Sequence, residues 1–383
     1  MRLKTIRYSE HAGMPQEWEL EDLTLGSLNL LVGKNSSGKT RTLNVINGLA
    51  KMLCGEVKSV LISGNYDITF ENGGKKIRYV LHYENSSIIK EEFSVGNKKL
   101  LMRGAGGKGK ICYVKQANKM IPFQTPPKEL AVVSRQDSIQ HPFFADLHEW
   151  GKSVRHYEFG GTLGKKTILF LREGEKALND PSSSTEQVIA VFRLGERDFG
   201  TRFTKLIMRH MAGIGFPLSN IGLRPPVAFK VLGGEMVGDP VYLGVQEKGL
   251  KGITDQQSMS QGMFRALSVI IQLTYSQLAG QKSCILIDDI GEGLDYERSC
   301  ALIKLITTEF HESSAQIIMS TNDRFTMNAV PLKSWTVLNR KSSKVAVFNY
   351  ANSKQTFDEF RFTGLNNFDF FATDFLSEAK MNA

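Results

Sequence analysis

Cysteine is scarce. Cys54, Cys112, Cys284 and Cys300 are the only four in 383 residues, and no two stand in a CxxC pair. That excludes a disulfide scaffold and a thiolate zinc site, and it fits a reducing, cytoplasmic setting. No run approaches the roughly 18 apolar residues of a membrane span, so no membrane partner is expected. The first residues, MRLKTIRYSEH, carry charge where a signal peptide needs an apolar stretch, and no secretion is expected. None of the seven histidines pairs with cysteine or carboxylate at metal-ligand spacing; His148 and His156 are too far apart for an i, i+4 site. Internal repeats and sustained heptads are missing, which excludes a long coiled-coil arm. Without a nucleophile elbow there is no case for a serine hydrolase.

What remains is an ordinary globular composition, 41% hydrophobic and 23% charged. The length suits one large domain or two closely joined ones. An excess of 48 basic over 39 acidic residues gives a net charge of +9. Such a charge favours a polyanionic partner, DNA or RNA. Dense basic runs are few, so a basic surface without any such partner is an equally open reading.

Along the chain the pattern changes character several times. LKTIRY, WELEDLTL and SLNLLV alternate apolar and polar positions as half-buried strands do. A glycine loop follows the last of them, and residues 41–53 then carry Leu43, Val45, Ile46 and Leu49 at helical spacing. Residues 57–114 read as an antiparallel lobe of short β-rich runs parted by Asn-Gly-Gly, Gly-Asn and GAGGKGK. A proline-containing break, IPFQTPPKEL, leads to a helical pattern from Phe143 through FFADLHEWGKSVRHYEF. DPSSS marks an exposed loop, residues 185–211 form one or two helices broken near Gly195, and strands return after them. Three segments are expected: 1–130 with the glycine loop and the β lobe, 131–250 as a helical lobe, and 251–383 for the remainder.

Two motifs carry chemistry. Gly33, Lys34, Asn35, Ser36, Ser37, Gly38, Lys39 and Thr40 spell GKNSSGKT, a complete GxxxxGK[ST] phosphate loop, with Arg41 opening the helix. Glycines let the backbone curl until its N–H groups face an anion, where the helix dipole adds attraction. Lys39 is placed to reach the β- and γ-phosphates of ATP, and the Thr40 hydroxyl to ligate Mg²⁺. Such a loop needs an acidic partner on a strand, and CILIDDIGEGLD at 284–295 supplies one. Asp288 is the metal-holding carboxylate, and Asp289 is the acceptor for the proton of attacking water.

With these residues in view, the chain resembles the ABC-type ATPase heads of the SMC/RecF/OLD group. SMSQGMFRAL, ahead of the acidic strand, matches the signature loop of that group: Ser260 and Gly262 stand for its serine and second glycine, and Gln261 replaces the first glycine. Asp295 matches the D-loop aspartate, Asn322 stands at the switch histidine, and Gln136 is the candidate for the Q-loop. The resemblance implies an α/β fold, an ABC-type P-loop NTPase core with an antiparallel β lobe and a helical lobe. It also implies ATP with Mg²⁺, and an ATP-dependent homodimer or higher oligomer in which the signature of one copy closes on nucleotide held by another. Two departures stand out. Asp289 is one methylene shorter than the group's catalytic glutamate, and Asn322 cannot titrate, so turnover is expected to be slow.

The resemblance reaches as far as the stand-alone ATPase subunits of bacterial anti-phage or toxin systems, which implies a separately encoded nuclease or toxin as partner. No Glu followed by a DxD strand comes after Asp295, so no nuclease is expected there. Two alternatives stay open: a RecF-like repair ATPase binding DNA through Lys108, Lys110, Lys115 and Lys119, and a scaffold that binds ATP with negligible hydrolysis. Finally, residues 357–375 hold seven of the 23 phenylalanines. These rings either complete the core or form a docking surface.

Overall fold

The computed structural model describes residues 1–58, 60–114, 119–167, 169–171, 187–225, 239–310, 315–373 and 375–376. The DPSSS loop and Lys115 lie outside the described residues. The chain divides into two compact units, one formed by Met1–Val154, Gln316–Asn322 and Pro331–Ala383, the other by Arg155–Ala315 and Asp323–Val330.

The first unit opens with β1 (Arg2–Glu10), β2 (Trp18–Thr24), β3 (Leu28–Val32) and α1 (Lys39–Leu53). A meander follows: β4 (Ser63–Asn72), β5 (Lys75–Glu84), β6 (Ser87–Val95), β7 (Lys98–Arg103), β8 (Lys108–Tyr113) and β9 (Lys119–Gln124), then α2 (Ala131–Ser134) and α3 (Ala145–Ser153). The second unit contains β10 (Val154–Glu158), β11 (Leu169–Leu171), α4 (Val188–Phe199), α5 (Thr201–Gly213), β12 (Leu218–Arg224), β13 (Asp239–Glu247), β14 (Thr254–Asp255), α6 (Gln261–Leu278), β15 (Cys284–Asp288) and α7 (Tyr296–Leu305). The chain returns to the first unit through β16 (Gln316–Ser320), gives α8 (Arg324–Ala329) to the second, and ends in the first with β17 (Trp335–Lys341), β18 (Lys344–Asn349), α9 (Lys354–Arg361) and α10 (Asn367–Ala372).

The first unit is mixed α/β, built on a large sheet in the order β16-β3-β17-β18-β2-β1-β4-β5-β6-β7-β8-β9. Its β3 is parallel to both β16 and β17. LNLLV is not the half-buried, alternating strand expected: four of its five residues are buried, because a central parallel strand is covered on both faces. From β1 to β9 every pairing is antiparallel, and alternation returns: Gly64, Tyr66, Ile68 and Phe70 of β4 are buried while their neighbours are not. Pro122 sits on β9, the last strand in this order, where a missing N–H costs no ladder bond. Helix α1 buries Leu43, Ile46, Leu49, Ala50 and Leu53, a stripe at spacings of three and four.

In the second unit α6 is the core helix. Every residue from Gly262 to Tyr275 is buried, as an all-round covered helix requires, and α4 and α5 pack on it. β10 and β15 are hydrogen-bonded neighbours, and β11, β13, β12 and β14 form a small separate sheet.

Two local expectations need correction. The helical pattern from Phe143 ends at Ser153, and Val154–Glu158 is a strand instead, buried at four of its five positions. Continuous burial overrides a periodicity that a short window cannot resolve. The break in 185–211 falls at Gly200, whose φ of +54° no β-branched residue would tolerate, and not at Gly195. Gly195 lies inside α4 for packing, since a Cβ there would stand 2.3 Å from the Phe203 ring. In the aromatic tail, Phe357, Phe360 and Phe370 are buried against one another, whereas Phe362 is 90% exposed. No described helix is long and apolar enough to cross a membrane.

Candidate functional site

In the first unit the loop between β3 and α1 is shaped by what its glycines permit. A Cβ on Gly33 would lie 2.4 Å from Ser37 Oγ and 2.6 Å from the Leu338 carbonyl of β17, so only glycine fits. Gly38 has φ +103°, and Ser36 takes the left-handed region at +64°. Gly38 caps α1 without a side-chain hydrogen bond, which leaves the first N–H groups of a 15-residue helix facing outward.

Lys39 is buried, and its Nζ donates to the loop's own carbonyls, Gly33 O at 2.8 Å and Lys34 O at 3.3 Å. Ser37 Oγ is buried without a hydrogen-bond partner among the described residues. Lys34, Asn35, Ser36 and Thr40 are exposed. A cleft of about 1130 Å³ borders residues 34–37, with Arg340 and Lys341 on its basic rim. That volume suits a small-molecule ligand.

One further sequence candidate reaches this loop by register. β16 and β3 run parallel with Ser320 opposite Leu31, which brings Asn322 to the sheet edge from which the loop departs. Arg41 is held beside it: its guanidinium lies 4.7 Å from the Trp18 ring and donates to Glu10. Gln136 is half-buried, one turn past α2. The fully buried Glu91 carboxylate accepts from Ala131 N at 2.9 Å and Val132 N at 3.1 Å, and from Arg103 Nη1 at 2.9 Å, so it fixes the start of α2. Sequence gave no signal for Glu91, because a lone acid on a strand reads as a solvated face.

The second unit holds the acidic strand and the segment SMSQGMFRAL. β15 is buried throughout, ending at Asp288, whose carbonyl accepts from Phe159 N at 3.1 Å. Asp289 follows at φ +50° and is half-buried. An aspartate tolerates that region, and such residues cluster at functional sites. Asp295 caps α7, accepting from Arg298 N at 3.0 Å. That N–H, then the Arg298 guanidinium, holds the carboxyl below its usual range. Arg298 itself stacks 4.4 Å from the Phe216 ring.

Ser260 caps α6 by accepting from Met263 N at 3.2 Å. Ser260 and Gln261 are exposed, whereas Gly262 is buried: a Cβ there would stand 2.1 Å from Gly293 O. The start of α6 therefore touches the loop between Asp289 and Asp295 directly. Behind it, the fully buried Gln256 accepts from Leu243 N at 3.0 Å and donates to Lys165 O at 3.1 Å and Thr167 O at 2.7 Å. Lys165 Nζ donates to Met259 O at 2.5 Å. Neither residue was legible as a support in the sequence. The four cysteines are all unbridged, and burial pushes the Cys284 thiol up to about 12, which makes it inert.

A solved SMC head bound to the C-winged helix domain of ScpA matches the chain with a TM-score of 0.52 at 12% identity, covering 92% of this chain and 99% of that one. The fold is that of an SMC head. The SMC head domain from Thermotoga maritima matches with a TM-score of 0.46 at 12% identity, over 91% of this chain and 99% of that one. An Smc head domain with an extended coiled coil, bound to the C-terminal domain of ScpA derived from Pyrococcus furiosus, gives 0.48 at 11%, over 94% and 99%. In sequence, no protein-family model and no curated protein matches the chain.

Proposed function

We propose that this SMC-head fold is an ATP-binding, slowly hydrolysing ABC-type ATPase. One observation carries the reading: the Lys39 ammonium lies buried on the carbonyls of a loop that admits no side chain at Gly33. A lysine so placed exchanges neutral acceptors for charged phosphate oxygens when ATP arrives, and the charged hydrogen bonds are the stronger ones. The N–H groups at residues 36 and 38–40 take phosphate oxygens, with Arg41 flanking them, while the Ser37 N–H donates to Lys34 O at 3.1 Å within the loop. Thr40 and Asp288 are the oxygen donors for Mg²⁺, which neutralises phosphate charge when bound.

Asp289 accepts the proton of attacking water, and Asn322 orients that water. The shorter acid and the non-titrating amide make turnover slow. Gln136 serves as the Q-loop residue. Ser260, Gln261, Gly262 and Asp295 act on nucleotide held by a second copy, so ATP drives a homodimer or higher oligomer. Control of a separately encoded nuclease or toxin in anti-phage defence is the output, supported by the motif resemblance.

ATP titration and turnover test the core of this reading. Wild type should bind ATP with Mg²⁺, Lys39→Ala should lose at least about 100-fold in affinity, and Asp289→Asn should bind but not turn over. Light scattering should show ATP-dependent dimers that Ser260→Arg abolishes. Wild-type affinity in Lys39→Ala would remove the reading. A second reading, DNA or RNA binding, draws on Lys108, Lys110 and Lys119, which are exposed on the paired strands β8 and β9. It requires an affinity that falls steeply with salt in the absence of any protein partner.

A further inference from the structure

We propose that Arg265 is a positioning residue: it brackets the start of α6, which carries Ser260, onto the loop that carries Asp289 and Asp295, so that both present a single rigid surface to nucleotide. The inference rests on the ATPase reading above.

Arg265 stands on the first turns of α6, and its side chain is 5% exposed. Nη1 donates to Glu292 O at 3.1 Å and Nη2 to Gly161 O at 3.4 Å. Nε is buried with no hydrogen-bond partner among the described residues. The carboxylate of the ion pair, on the half-exposed Glu292, stands at 4.0 Å. A guanidinium buried against carbonyls is costly compared with an apolar side chain of equal length. Packing therefore does not explain an arginine here, on a helix whose next turns are Ala266, Leu267, Val269, Ile270 and Ile271. What arginine adds is a fork, two donors spread widely enough to hold two separate loops at once.

The loop needs such a hold. Asp289 takes a left-handed φ of 50°, which costs a non-glycine residue, while Gly291 and Gly293, at 92° and 82°, leave the backbone around it many alternative conformations. On one side Ser299 Oγ donates to Gly291 O at 3.3 Å. On the other lies Arg265, close enough that a Cβ on Gly293 would meet its Nη1 at 2.8 Å. Because Gly262 and Gly293 approach backbone to backbone, an error in the loop is transmitted directly to the signature turn. With both braces in place, Ser260 and Asp289 keep a fixed separation through the catalytic cycle. Misplacement by about an ångström at such a site costs on the order of a hundredfold in rate.

The test is a split between binding and turnover in the full chain, measured well below each variant's melting temperature. Arg265→Met keeps the packed stem and removes the fork. Its ATP affinity should stay within about twofold of wild type, because the phosphate loop belongs to the other unit, while kcat falls at least about tenfold. Arg265→Lys, with charge but one donor group, should lie between the two. Wild-type kcat in either folded variant overturns the inference, and so does a parallel loss of affinity and kcat. If Arg265→Met does not fold, Arg265→Lys decides alone by the same criteria. A wild-type chain that binds no ATP fails the ATPase reading and takes the inference with it; wild-type turnover matched by both variants fails the inference only.

Discussion

The glycine loop after β3 and the acidic loop after β15 are both short turns at the end of a buried strand, yet they are held by opposite means. The glycine loop is a backbone construction, in which Gly33 and Gly38 set the curl and Lys39 lies on its carbonyls. The acidic loop is clamped by side chains from outside, by Arg265, by Ser299, and by the Arg298 guanidinium on Asp295. A loop that must surround an anion keeps its N–H groups free of side chains. A loop that presents carboxylates needs its shape imposed from elsewhere, because like charges and left-handed backbone both oppose it.

This contrast can be broken. The largest effect is expected at Gly33→Ala, where the new Cβ would meet Ser37 Oγ at 2.4 Å. ATP affinity by titration should drop at least about 100-fold. Retained binding would mean that the loop is not read through its backbone. Next comes Gln256→Leu, which strands the Leu243 N–H and two carbonyls behind the signature turn. Denaturant unfolding should show a loss of about 3 kcal/mol with ATP affinity unchanged.

A smaller effect concerns acidity in the second unit. Burial, with Arg209 beside it, holds the His210 imidazole down at about 4. The unfolded chain then binds the extra proton first, so stability is complete above the unfolded value near 6.5 and is lost as pH falls towards 4. Between pH 7 and 5 the loss should be about 1–2 kcal/mol, and His210→Phe should remove that slope from the melting curves. Smallest is Ser260→Ala, which deletes the α6 cap and should cost about 1 kcal/mol. If its stability is unchanged, the serine owes nothing to its helix and is kept for its exposed hydroxyl.

Much of this was readable beforehand because it depends on local order. β3, the loop and α1 follow in the sequence that GKNSSGKT requires, whereas LNLLV, read as half-buried, is covered on both faces because its neighbours are parallel strands far along the chain. The antiparallel runs of β4 to β8 were legible from alternation and turn glycines. VRHYE was not, since four successive buried residues carry no period, and Gly195 misled because a packing glycine and a breaking glycine look alike in one dimension. Arg265, Glu91 and Gln256 escaped for a common reason: each is a polar residue whose partners lie far away along the chain, so no spacing marks it.

By itself the sequence determined the glycine loop between β3 and α1, because Gly33, where any Cβ would clash, and Gly38, at φ +103°, are local requirements that few other residues meet. It also determined the strand ending at Asp288. Only the tertiary structure decided that Gly262 rests on Gly293, that Asn322 arrives at the edge where the loop begins, and that an arginine inside α6 is spent on two carbonyls. Those are contacts between segments tens to hundreds of residues apart, fixed by strand register and close packing, and neither composition nor period encodes them.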